Sequence, residues 1–263
     1  MIRRASLRRS FSIQLLVIGA LLMREIITRY GRHNIGFLWL FVEPMLFTLG
    51  VTALWIMADA THGSNLQITA FALTGYSSVL VWRNTVGRTT SAIQPNLSLM
   101  YHRNVRVVDI FASRIILEIV GAGASFVLLT LFFLGIEWIK APTDILKVIF
   151  GWVMLAWFGA SLGLFLGALS ERSEVIEKLW HPISYLLFPL SGAAFMVEWL
   201  PQEAQNFILY LPMVHGVEIL REGFFGCAVH AHYDMGYMAV CNLCLTLLGF
   251  AMERDVSRRV ELE

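Results

Sequence analysis

Lysine is scarce in this chain: three in 263 residues, and none of them follows a glycine. A phosphate-binding loop of the Walker type ends in Gly-Lys-Ser/Thr, so that backbone N–H groups and the lysine can hold the phosphates. Without one, the chain cannot hydrolyse ATP by that route, and active work would need energy from another protein. Charge of either sign is sparse as well. Asp, Glu, Lys and Arg together make up 15% of the residues, against about 25% in soluble domains. The three cysteines are an odd number and imply no disulfide framework. A net charge of +1 gives no reason to expect nucleic acid as a partner.

What is there is apolar: 57% of residues, with a mean hydropathy of +0.66. This composition predicts an all-α, polytopic membrane protein, a single transmembrane domain over 1–263. Its N-terminus begins like a secretory signal, with "MIRRASLRRS" before "FSIQLLVIGALLM". Arg24-Glu25 follows in place of a small-x-small cleavage site. The apolar piece is 13 residues long, and a span needs about 20. The reading for 11–33 is an amphipathic helix lying in the membrane interface.

Six apolar runs are long enough to cross, near 36–58, 67–86, 110–136, 145–169, 179–200 and 235–252. Cytoplasmic flanks collect Lys and Arg. With both termini inside, 17 of the 20 Lys and Arg residues fall on that side, leaving only Lys140, Lys147 and Arg221. The distribution predicts a multi-pass protein with both termini cytoplasmic. Two connections are unusual. The 87–109 segment is long, basic and inside, and loops of that length usually carry function. The 202–226 segment holds two short apolar pieces separated by Pro212 and Gly216. Neither can span, so a re-entrant helical hairpin or two interfacial helices are expected.

Short motifs each have a plainer reading. "GASLG" (Gly159 to Gly163) matches the G-x-S-x-G nucleophile elbow, which needs a strand, a turn and a helix. Here it lies inside an apolar run. Gly159, Gly163 and Gly167 recur at i, i+4 and i+8, the spacing that lets membrane helices approach closely. "CNLC" (Cys241 to Cys244) lacks a second pair. "HAHYD", with His215, has metal-ligand residue types but reads as a solvated loop, so no metal is expected. Glu43, Arg83, Arg114, Glu118 and Glu198 are ionisable residues in or at the ends of spans. Such groups face a partner or a water-filled cavity. Arg114 and Glu118, four apart, can pair. Trp39, Tyr76, Trp82 and Tyr101 could belong to an interfacial belt or hold sugar rings in a passage.

"RYGRHNIGFLWLFVEPML", "NLSLMYHRNVRVVDIFASRIILE" and "YLPMVHGVEILREGFF" occur in that order. Together they resemble the permease subunit of bacterial ATP-binding-cassette exporters of capsular polysaccharide, over nearly the whole chain. Leu211 stands where that family usually has asparagine. The resemblance implies a homodimer around a central channel, joined by two ATPase subunits that carry ATP and Mg, with no cofactor on this chain. It implies an inner-membrane location, membrane lipid and a lipid-linked acidic polysaccharide as partners, and periplasmic or outer-membrane export proteins beyond. In these terms Asn96, Leu97, Ser98, Leu99, Met100 and Tyr101 would enter the ATPase, flanked by Arg103, Arg106 and Asp109. Arg24, Arg29, Arg32 and His33 would stand at the lipid or substrate entrance. Trp39, Glu43, Tyr76, Trp82 and Arg83 are channel candidates, with Glu43-Pro44 bending the first span. Tyr210, His215, Glu218, Arg221 and Glu222 would stand near the periplasmic exit. Two alternatives stay open: the same family with O-antigen, teichoic acid or a drug as cargo, and an intramembrane serine hydrolase using Ser161.

Overall fold

The computed structural model describes residues 7–30, 34–58, 66–100 and 105–260. Among these there is no strand. Ten helices are present: α1 (Leu7–Tyr30), α2 (Asn34–Ala58), α3 (Ile68–Thr89), α4 (Leu97–Met100), α5 (Val107–Gly135), α6 (Ile145–Ser170), α7 (Glu174–Leu190), α8 (Gln202–Ile208), α9 (Pro212–Phe225) and α10 (Met235–Val260). Single 3₁₀ turns cover Gln94–Asn96, Val197–Trp199 and Gly226–Ala228.

Among the described residues, five helices are long and apolar enough to cross a membrane: α1, α2, α5, α6 and α10. The sequence reading differs at three places. In α1 an 18-residue window, Phe11–Thr28, is apolar enough, because Arg24 and Glu25 are its only charges and Ile26 and Ile27 resume the run. α3 is not among the five, since it carries Arg83, Arg88 and a series of hydroxyls. The run expected over 179–200 is not one helix. α7 ends at Leu190, after an internal Pro189. Gly192 then takes φ +78, the left-handed region that glycine enters without a Cβ clash, and the chain turns away.

The polar content of α3 is explained by its position. Every residue from Thr69 to Trp82 is buried, and α2, α5, α6, α7 and α9 all pack on the helix. A helix enclosed on all sides needs no lipid-facing stripe. Its hydroxyls are satisfied within the helix: Thr74 donates to the Ala70 carbonyl, Ser78 to Gly75, Thr85 to Val81 and Thr89 to Thr85. α6 lies against it through the three glycines. A Cβ at Gly159 would stand 2.9 Å from Trp82 Cα, one at Gly163 would meet Thr89 Oγ1 at 3.2 Å, and one at Gly167 would meet Thr89 Cγ2 at 2.8 Å.

α1 crosses the ends of other helices. Gln14 reaches Asp109 and Glu25 reaches Arg114. Between these contacts α1 advances by about 16 Å and α5 by about 8 Å. Leu21 of α1 packs with Ile110, Phe111, Ala168 and Val256. These come from the start of α5, the end of α6 and the end of α10. This face, with the 94–100 segment, is called the basic end below; the α9 face is the opposite end.

Candidate coupling and entrance site

At the basic end the structure joins two groups of residues that the sequence suggested separately. Arg24, from the entrance group, donates to Asn96 Oδ1 of the coupling group. Asn96 is buried, and its amide also donates to the Ala92 carbonyl at 2.8 Å. Gln14 donates to Asp109 Oδ1. The other carboxylate oxygen of Asp109 accepts the Arg106 N–H at 2.9 Å, a cap that satisfies one of the free N–H groups starting α5. Asp109 is 1% exposed, so it lies inside the fold rather than flanking an open cleft. The exposed part of the segment is Gln94, Pro95, Leu97 and Ser98, with Leu99 and Met100 half-buried. Arg29 falls in the last turn of α1, and Arg32, His33, Tyr101 and Arg103 lie outside the described residues.

A set of charges stands behind this segment. Arg114 pairs with Glu25 at 3.3 Å. Its Nη1 donates to the Arg88 and Ser91 carbonyls at 2.8 and 3.0 Å, which are free because α3 has just ended. Arg88 faces Glu43 at 3.7 Å and Glu118 at 3.8 Å. Opposite charges are thus paired across α1, α2, α3 and α5, with Arg114 and Glu118 buried and Arg88 exposed. Glu25, Gln14 and Arg88 were absent from the site read off the sequence. Glu25 sits beside Arg24 and Arg88 one turn beyond Asn84, but nothing local in either stretch says which helix they meet.

The channel candidates divide. Trp39 is exposed on α2. Tyr76 meets Phe188 edge-on at 5.8 Å, and the Arg83 guanidinium lies 5.4 Å from the Tyr185 ring. Residues seven apart on α3 therefore share the seam with α7. Trp82 is fully buried, edge-on to Phe158 and Trp180 at 6.2 Å each. It belongs to the packing beneath the seam.

The opposite end is held by α9. Sequence reading placed His215, Glu218, Arg221 and Glu222 near an exit; the structure places the first three inside, each at most 3% exposed. Arg221 lies 3.8 Å from the Phe71 ring and donates to the carbonyls of Gly192, Ala193 and Phe195. This fastens the turn after α7. Gly75 makes room, since a Cβ there would collide with the Ala193 carbonyl and stand 2.6 Å from the Arg221 guanidinium. Glu218 accepts the N–H groups of Val197 and His232 at 3.2 and 3.0 Å. His215 Nδ1 accepts the Asp234 N–H at 2.9 Å, so its proton is on Nε2, 2.9 Å from the Leu209 carbonyl. Glu222 accepts from Lys147 at 2.8 Å and from the Tyr233 hydroxyl at 2.7 Å. Tyr210 remains exposed.

Ser161 donates to the Phe158 carbonyl at 3.0 Å. The pocket beside it is lined by Ile115, Ile116, Trp157, Leu164, Thr246 and Phe250 among others, none of them titratable. A serine nucleophile needs an adjacent base, and none of the pocket's residues supplies one.

One titration follows from the link after α6. Burial and the neighbouring Glu177 carboxylate push the Glu171 carboxyl up to about 7. A folded-state value above the unfolded one favours folding at low pH, and this contribution fades as pH rises through about 7. Glu171→Gln should therefore raise the unfolding temperature at pH 8 and leave it nearly unchanged at pH 5, as measured by thermal unfolding in detergent.

The family described as ABC-2 type transporter matches residues 17–225 of this chain. The chain is similar over nearly its whole length to two capsule polysaccharide export inner-membrane proteins. BexB of Haemophilus influenzae is 43% identical over 258 residues, 98% of this chain and 97% of the relative. CtrC of Neisseria meningitidis is 45% identical over 260 residues, 99% and 98% of the two chains. The polysialic acid transport protein KpsM of Escherichia coli is 26% identical over 254 residues, 94% and 96%.

Proposed function

Because the chain belongs to the ABC-2 type transporter family, we propose that it is the membrane subunit of an ATP-driven exporter of lipid-linked capsular polysaccharide. It works at the bacterial inner membrane as a homodimer with two separate ATPase subunits, which hold the ATP and Mg. The observation that carries this reading is near-full-length similarity, at 43 to 45% identity, to proteins named for capsule polysaccharide export. In this reading α2, α3, α5, α6, α7 and α10 are six spans, with α3 shielded from lipid by its neighbours. α1 lies at the cytoplasmic interface, and α8 with α9 forms the re-entrant pair on the periplasmic side. Both termini are cytoplasmic, in keeping with the positive-inside distribution.

The mechanism follows from the basic end. Gln94, Pro95, Leu97 and Ser98 are exposed there and offer the ATPase a contact. When ATP closes the two ATPase copies, this segment is displaced. Asn96 carries Arg24 with it, and Asp109 carries Gln14, so α1 moves with the segment and opens the cytoplasmic entrance. The arginines of α1 attract an anionic lipid end by about 1 kcal/mol each. The chain itself performs no covalent chemistry. Periplasmic and outer-membrane export proteins receive the polymer beyond α9.

Copurification tests the reading. The native chain should recover an ATPase subunit and support ATP hydrolysis, and scrambling residues 96–106 should abolish both recovery and activity. If the native chain never recovers an ATPase subunit, the exporter reading falls.

A further inference from the structure

α3 and α7 leave a cleft of about 380 Å³ near the basic end, lined by Arg83, Asn84, Arg88, His181, Ser184 and Tyr185 over a floor of Trp180. Arg83 lies six residues before the end of α3, about 9 Å along the axis, and is half-buried. Its guanidinium lies 5.4 Å from the Tyr185 ring. Among the described residues no carboxylate lies within ion-pair reach of it. That distinguishes it from Arg88, which faces both Glu43 and Glu118, and from Arg114, which faces Glu25. A cation at membrane depth is expensive without a partner and marks a functional cavity by default.

The neighbouring groups carry donors that are not used elsewhere. The Asn84 side chain and the His181 ring both line the cleft and make no hydrogen bond within the described residues. The Ser184 hydroxyl is already donated to the His181 carbonyl at 2.8 Å. The cleft therefore holds a guanidinium fork, an amide and an imidazole, the last two each able to turn a donor inward, with no acid among its lining residues. Arginine's planar fork matches the two oxygens of a carboxylate or phosphate. Tyr185, 67% exposed, adds a ring face beside the fork.

We propose that this cleft binds an oxyanion, phosphate or carboxylate, with Arg83 as its cation and Asn84 and His181 as further donors. It rests on the exporter reading, within which the anion belongs to the cargo. The same chemistry could come from a bilayer headgroup, so the test separates the two.

The full chain with its ATPase subunits is placed in phosphatidylcholine nanodiscs and titrated with a fluorescent glucuronate tetrasaccharide. Arg83→Gln should weaken binding by about ten-fold or more, the loss expected for one charged hydrogen-bonded pair. Arg83→Lys, which keeps the charge but loses the fork, should restore only part of it. Uncharged maltotetraose should show no dependence on residue 83. In a second set of discs, phosphatidylglycerol replaces part of the phosphatidylcholine. Competition by that lipid in wild type, absent in Arg83→Gln, assigns the cleft to an anionic lipid headgroup and upholds the anion site. Binding that ignores Arg83 in both discs, or no binding and no lipid effect in either, overturns the proposal. Arg83→Gln is compared only where its elution profile matches wild type. Should the ATPase not assemble on the wild-type chain, the exporter reading fails by itself. The same titration on the chain alone then decides the cleft.

Discussion

Arg221→Met should destabilise the protein by about 4 kcal/mol, the order expected when a buried cation gives up several charged hydrogen bonds. The guanidinium is fully buried and holds three backbone carbonyls of the 192–195 turn while it lies over Phe71. Methionine fills much of the volume but donates nothing. Three carbonyls lose their donor, and the Glu218 carboxylate, also fully buried, loses its nearby cation. Adding Glu218→Gln should recover about 1–2 kcal/mol, since the second change removes the uncompensated charge and keeps an acceptor for Val197 and His232. The measurement is the fraction of monodisperse protein surviving a heating series in detergent. A double variant no better than Arg221→Met would show that the lost carbonyl contacts, and not the charge, account for the damage.

Gly159→Leu should be similarly severe, about 3 kcal/mol or more. The first carbon of any side chain at 159 already meets the α3 backbone, 2.9 Å from Trp82 Cα. Backbone cannot swing aside as a side-chain tip can, so α6 and α3 must separate along their whole seam. Ser161→Ala is the matched control on the same helix. It removes only a hydroxyl bonded to its own helix and should leave folding and export near wild type. Capsule on the cell surface and the yield of folded protein are the two readouts. If Ser161→Ala abolished export from well-folded protein, the serine would need a chemical role.

Much of this was legible because apolar periodicity and arginine placement report directly on membrane physics. The α2, α5, α6 and α10 helices lie where the hydropathic runs are, and the glycine triplet at i, i+4 and i+8 lies along the α3 seam. α3 and α7 were harder. Hydropathy measures what faces lipid, and α3 faces protein, so its threonines, serines and Arg83 lower the score without weakening the helix. α7 was read too long because Phe195, Met196 and Trp199 continue the apolar run after Gly192 has turned the backbone. Residue types at the site were legible but their partners were not. Arg24 and Asn96 are 72 positions apart and Gln14 and Asp109 are 95 apart; no local pattern encodes such meetings. The resemblance set the charges of α9 near an exit but could not name their partners. In the structure His215, Glu218 and Arg221 bind backbone groups of the neighbouring segments, and Glu222 binds the side chains of Lys147 and Tyr233.

The enclosure of α3 has a mechanical consequence. Its 22 residues make a shaft about 33 Å long, keyed at one end by the turn that Arg221 grips and at the other by the carbonyls that Arg114 grips. Neighbours around its Thr69–Trp82 stretch leave that part little room to bow, and close-packed interiors transmit strain instead of absorbing it. In the proposed exporter, a push applied beside the 94–100 segment would reach the turn at the far face through this one helix.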